Sequence, residues 1–142
     1  MGRPWPSQLE VIVLDTSAVL ALLDRHERAH EEVVAAFETD PGPYLVPTAI
    51  LAEIGYLIEH RLGSTPLRAF LDDLQAGAFS LDCGDGDIVR IAELVERYAD
   101  LPLGFSDAAV IACAERHRGR VLTLDRRDFE VVGRQVHLTL LP

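Results

Sequence analysis

Residues 9–18 read Leu-Glu-Val-Ile-Val-Leu-Asp-Thr-Ser-Ala, and residues 120–125 read Arg-Val-Leu-Thr-Leu-Asp. Each is a short apolar run rich in β-branched residues that stops on an aspartate. Such runs suit strands buried on both faces of a parallel sheet. Between them the pattern is mostly helical. Helices are expected at 17–23, at 27–38 (stopped by Asp40-Pro41-Gly42-Pro43), and from Thr48, as N-cap, to Leu62 before Gly63. Further helices are expected at 65–75, at 85–99 with Ile88, Ile91, Ala92 and Val95 inward, and from Phe105 through the apolar stretch Ala108–Ala114. Shorter strands are expected at 44–46, 78–81 and 136–140, with a turn over Asp125–Asp128. Strands alternating with helices predict an α/β domain with a mostly parallel sheet.

The chain has 142 residues, which fits one domain over 1–142 whose first eight residues form a short N-terminal extension. A chain of this size buries roughly 70% of its unfolded surface and needs neither a disulfide nor a structural metal. Apolar residues make up 49% and charged residues 25%, the balance of a soluble globular protein. No apolar run reaches a membrane span, and Met1–Gln8 lacks the apolar core of a secretory signal. Cys83 and Cys113 show no ligand-like spacing, so a reduced, cytoplasmic protein is expected.

All 13 basic residues are arginine. Without lysine there is no Schiff base, no phosphate-binding loop lysine and no kinase lysine. The five histidines, at 26, 30, 60, 117 and 137, follow no zinc or triad pattern. The net charge of −10 repels nucleic acid at long range, yet residues 116–134 carry six Arg against three acids.

In an open parallel sheet, ligands bind beyond the carboxyl ends of the strands. Asp15 and Asp125 would project there. Asp107 lies in the first turn of the apolar helix, and Glu53 lies on the flank of a helix's apolar stripe. Each residue alone also has a plain role: a cap for Asp15, the helix dipole for Asp107, a turn for Asp125, a solvated flank for Glu53. Together they form a set that cannot stay ionised in one crevice without a counter-charge. Mg²⁺ or Mn²⁺, which prefer oxygen ligands, would supply it and would suit phosphodiester hydrolysis.

The order Asp-Thr-Ser-Ala at 15–18, Glu53, Ser-Asp-Ala-Ala at 106–109 and Thr-Leu-Asp-Arg-Arg-Asp-Phe at 123–129 resembles the PIN-domain ribonucleases, and among them the VapC-type toxins. The resemblance spans about residues 11–138. It implies a three-layer α/β/α fold and a Mg²⁺- or Mn²⁺-dependent endoribonuclease whose acidic quartet is Asp15, Glu53, Asp107 and Asp125. Asp15, Asp107 and Asp125 would hold the metal, and Glu53 would hold or activate water. Thr16 and Thr123 are expected to support the carboxylates. Arg116, Arg126 and Arg127 are candidate RNA contacts. Asp100 and Asp128 read as solvated turn residues. Similar toxins often carry another Asp where this chain has Gly104.

The implied partners are an RNA substrate, a VapB-like antitoxin and a second copy of the chain, with no membrane. Residues 27–38 and 49–62 are candidate walls of an antitoxin groove, with Phe37, Tyr56, Leu57 and Phe70 as candidate lining. The alternative is a catalytically weak PIN-like module that sequesters RNA or a protein partner.

Overall fold

Ile12–Leu14 (β1) is the middle strand of the molecule, and every later element is placed relative to it. The structure, a computed structural model, describes residues 11–142. Leu9 and Glu10 of the first expected strand, and the expected extension at 1–8, lie outside the described residues. After β1 come α1 (Thr16–Leu23), α2 (His30–Thr39), β2 (Tyr44–Pro47), α3 (Leu51–Leu62) and α4 (Ser64–Ala76). Then follow β3 (Ser80–Asp82), α5 (Ile88–Arg97), α6 (Phe105–Arg116), β4 (Arg120–Leu122), α7 (Arg126–Gly133) and β5 (Thr139–Leu141).

All four strand pairings are parallel, in the order β3-β2-β1-β4-β5. The chain builds outward from β1 to β3, then returns to the other side of β1. The order therefore reverses between β1 and β4, and a crevice opens at such a point beyond the strand ends. Register pairs Leu14 with Leu122, so β1 and β4 finish level and the residues after them share one edge.

Burial explains the apolar strands: Ile12, Val13, Leu14, Val121 and Leu122 are almost completely enclosed. On α6, Ala108 through Ala114 are all buried, and the helix packs on β1, β2 and β4. Four alanines in that stretch let a backbone lie close to the sheet with little side-chain volume between. Gly119, at φ +85°, makes the turn into β4; an added Cβ would lie 2.1 Å from the His137 carbonyl oxygen. Among the described residues, no helix is long and apolar enough to cross a membrane.

Several expectations need correction. Thr48 does not cap α3: residues Thr48–Ile50 form a 3₁₀ turn, and the Ala49 N–H donates to the Cys83 carbonyl. A second 3₁₀ turn at Asp85–Asp87 changes the phase of α5. Its inward residues are Ile91 and Leu94, while Ile88, Val89, Ala92 and Val95 are exposed. The segment 125–128 is not an isolated turn but the entry to α7. The last strand is Thr139–Leu141. The expectation of reduced cysteines does not hold: Cys83, after β3, is bonded to Cys113 on α6, with their Cα atoms 5.5 Å apart. Packing α6 across the sheet brings together two positions that are 30 residues apart along the chain.

Candidate active site

Asp15 is the first residue after β1. Its Oδ1 accepts from the Ala18 N–H at 2.9 Å, capping α1, and from the Ser17 hydroxyl at 2.7 Å. Its Oδ2 accepts from the Thr123 hydroxyl beyond β4. The Ser17 hydroxyl in turn accepts from the Leu124 N–H at 2.9 Å, and the Thr123 hydroxyl accepts from the Asp125 N–H at 2.9 Å. The two strand ends are thus laced together through one carboxylate. Asp15 is only 5% exposed. Burial pushes its carboxyl above the ordinary range, and the nearby Asp125 adds to this, while Thr123, Ser17 and Ala18 pull the other way.

Glu53 projects from the first turn of α3. Its two oxygens are held by separate hydroxyls, Thr16 on α1 at 2.8 Å and Ser106 on α6 at 2.9 Å. This pairing fixes the carboxylate between two helices although the residue is exposed. Asp107 follows Ser106 in the first turn of α6 and is partly buried. Its carboxyl is pushed up to about 6, first by burial, then by the charges of Asp125, Asp128, Asp15 and Glu53. Carboxylate oxygens of Asp107, Asp125 and Asp128 lie within 4.8 Å of one another.

A cleft of about 460 Å³ gathers these groups. Asp15, Thr16, Ser17, Glu53, Ser106, Asp107 and Asp125 line it, with Leu20, Leu57, Val110 and Phe105 as apolar wall and Arg61 as cation. All four acids singled out in the sequence are therefore in one cleft. Thr16 meets Glu53, and Thr123 meets Asp15.

The arginines separate differently. Arg116 bonds Asp87 at 2.6 Å and lies 3.8 Å from Asp82. It sits nine residues beyond Asp107, about 13 Å along the helix axis, and does not line the cleft. Arg126 pairs with Glu130 at 3.2 Å and donates to the Pro142 carbonyl at 3.3 Å. Arg127 is exposed and outside the cleft lining. Of the expected groove residues, Phe70 is fully buried, Phe37 stacks on Tyr44, and Tyr56 is exposed against His60. Leu57 alone among them lines the cleft.

Among the polar members, sequence reasoning missed four. Ser17 and Ser106 adjoin the quartet in sequence, and that adjacency was their signal. Asp128 was read as solvated, but its place in the first turn of α7 brings it back over Asp125. Arg61 stands eight residues after Glu53, with Leu57 midway, which is one helix face.

The donor set is all oxygen, from carboxylates that repel one another. That is the chemistry a hard divalent cation fits. A family model described as PIN domain matches residues 12–135. This chain belongs to the PIN-domain family. It is 37% identical over 123 residues to ribonuclease VapC26 of Mycobacterium tuberculosis (strain ATCC 25618 / H37Rv), a match covering 85% of this chain and 91% of that protein. Among PIN-domain proteins it is accordingly of the VapC type. The solved structure of M. tuberculosis VapC20, a sarcin-ricin loop cleaving toxin, superposes with a TM-score of 0.75 at 21% identity, covering 86% of this chain and 95% of that one. A toxin–antitoxin complex from Klebsiella pneumoniae superposes with a TM-score of 0.63 at 21% identity, covering 83% and 89%. At those identities the two structures establish the shared PIN fold.

Proposed function

We propose that this VapC-type PIN ribonuclease is a divalent-metal-dependent endoribonuclease, the toxin of a VapBC-type pair, restrained by a VapB-like antitoxin in the cytoplasm. The observation that carries the reading is the convergence of Asp15, Glu53, Asp107 and Asp125 at the point where the strand order reverses. The ribonuclease name of the 37% identical relative supports the activity. The likeness to the toxin–antitoxin complex from Klebsiella supports an antitoxin partner.

Asp15, Asp107 and Asp125, with Asp128 beside them, would hold Mg²⁺ or Mn²⁺. When bound, the ion supplies positive charge to the phosphodiester and lowers the pKa of water. The chain's own residues do the rest. Ser17, Thr123 and the Ala18 N–H fix Asp15 so that it need not reorganise. Glu53, braced by Thr16 and Ser106, is positioned to orient a water and take its proton.

The exposed apolar residues Ile88, Val89 and Val95 of α5 support a homodimer, which light scattering would test. Cleavage of a structured RNA by the purified chain should require added Mn²⁺ or Mg²⁺ and stop with EDTA. Cleavage that persists in EDTA and in Asp107→Asn overturns the mechanism. Tight RNA binding without cleavage in Mn²⁺ would instead favour the sequestering module, for which Gly104 is the motivating residue.

A further inference from the structure

The cleft offers more than carboxylates. Its wall also carries one cation, Arg61, and one aromatic ring, Phe105. We propose that these two residues form a nucleotide-holding subsite, with Arg61 taking a phosphate next to the one being cut and Phe105 carrying an adjoining base. The subsite rests on the ribonuclease reading of the same cleft.

Arg61 lies two helical turns beyond Glu53 on the same face of α3, about 12 Å along the axis. It also borders an adjoining hollow shared with Ser17, Leu20, Glu27, Leu124 and Asp125. Arg68, Arg90, Arg116 and Arg126 are each engaged in an ion pair. Arg61 forms no ion pair or side-chain hydrogen bond among the described residues, although acids line both hollows. A guanidinium in that position is available to an incoming anion.

Of the five phenylalanines, Phe70, Phe79 and Phe129 are buried and Phe37 is half-buried. Phe105 is 51% exposed, and it immediately precedes Ser106 and Asp107. Exposed rings beside a backbone-binding groove are how proteins stack unpaired bases. A guanidinium and an exposed ring in one cleft match a nucleotide, a phosphate joined to a base, and so point to RNA as the occupant. A chain of net charge −10, with four acids in this cleft, needs a local cation to receive a phosphate, and among the described residues Arg61 is the one lining it.

The test is fluorescence anisotropy with a short unstructured oligoribonucleotide and the same backbone bearing abasic positions. It is run in an Asp107→Asn background that keeps the RNA intact, beside KM and kcat of the cleaving enzyme. Arg61→Ala should raise Kd and KM about tenfold, with a smaller change in kcat; the gap should narrow with added salt, and Arg61→Lys should recover part of it. Phe105→Ala should raise Kd about tenfold for the base-bearing RNA and leave the abasic RNA unaffected, while Phe105→Trp holds wild-type affinity. Unchanged Kd and KM in both alanine variants of an enzyme that cuts RNA overturns the subsite alone and leaves this wall to a protein ligand. Equal losses on both RNAs in Phe105→Ala overturn the stacking role. Failure of the wild type to cut any RNA, with the Arg61 and Phe105 dependence of binding intact, overturns the ribonuclease reading and leaves the subsite standing.

Discussion

At the N-terminal end of α6, Asp107 faces Asp125 and Asp128 with no ion pair among the described residues to relieve them. At the C-terminal end of the same helix, Glu115 holds Arg90 at 2.8 Å, Arg116 holds Asp87 at 2.6 Å, and His117 meets Asp82 at 3.1 Å. Cys113 is bonded to Cys83 there as well. The titration shifts run in opposite directions. Asp107 is pushed up by burial and like charges. Burial also pushes Asp82 up, but the Cys83 N–H, His117 and Arg116 outweigh it and hold its carboxyl below the ordinary range. One helix thus anchors a corner self-sufficient in charge at one end, where the buried Asp87 Oδ2 is still without a hydrogen-bond partner among the described residues, and a charge-deficient one at the other. A corner that satisfies its own charges adds stability; one that does not is poised for a ligand of the missing sign.

Breaking the deficient corner at Asp107 should cost activity and little stability, whereas Asp15 also caps α1 and ties two strand ends. Asp107→Ala or Asp15→Ala is expected to lower metal-dependent cleavage more than a hundredfold, beyond the 10–100-fold typical of losing a supporting group. For Asp107→Ala the metal-free melting temperature should hold or rise, because a repelled carboxylate is gone. Calorimetry beside the cleavage assay reads both, and a collapse in stability with Asp107→Ala would contradict the contrast.

Breaking the self-sufficient corner should do the reverse. Reducing the Cys83–Cys113 bond opens a loop of 30 residues, which is worth about 3–4 kcal/mol, or roughly 10 °C in a chain of this length. A melt with and without reductant, repeated on Cys113→Ala, measures it. Arg116→Ala leaves Asp87, only 7% exposed, without its partner and should cost about 1–3 kcal/mol, at the lower end because Arg116 itself is half-exposed. The folded variant should bind and cut RNA as before, since Arg116 lies outside the cleft. A specific loss of RNA affinity would restore its role as an RNA contact.

The fold was largely legible because its signals are local. The buried strands ending in Asp15 and Asp125 announce themselves by continuous apolar runs, and the quartet follows from where a parallel sheet opens. What was hidden depends on how helices pack. The phase of α5 turns on a 3₁₀ turn that buries Asp87 in place of Ile88. Arg116 looked available because its partners, Asp82 and Asp87, come from another strand and loop. The disulfide needs α6 to cross the sheet before its cysteines meet. Asp128 and Arg61 join the site only through the directions of α7 and α3.

A smaller effect concerns pH. An aspartate in the unfolded chain titrates near 3.8, and Asp107 in the folded, metal-free protein titrates at about 6. Between those values the folded state keeps a proton that the unfolded state has released. Stability from this group is therefore full below about pH 4 and is lost as pH rises through 6. Metal-free melting temperature should fall across that window, and Asp107→Asn should flatten the slope. Equal slopes in the two proteins would remove Asp107 as the cause.

The smallest expected change sharpens the contrast by adding charge. Gly104 precedes α6 in the N-cap position at φ −83° and ψ 176°, with no side-chain cap, and nothing lies within 4 Å of an added Cβ. An aspartate fits this backbone without strain. Two effects then oppose each other. As an N-cap, Asp gains only a few tenths of a kcal/mol over Gly. As a further acid lining the cleft, it adds repulsion of similar size. Gly104→Asp should therefore move the metal-free melting temperature by no more than about 1–2 °C. With a divalent ion present the repulsion becomes attraction, so the Mn²⁺-induced rise in melting temperature should exceed that of the wild type. If the Mn²⁺ response is the same in both proteins, position 104 does not face the acids, and the charge deficit is confined to the carboxylates already gathered around Asp107.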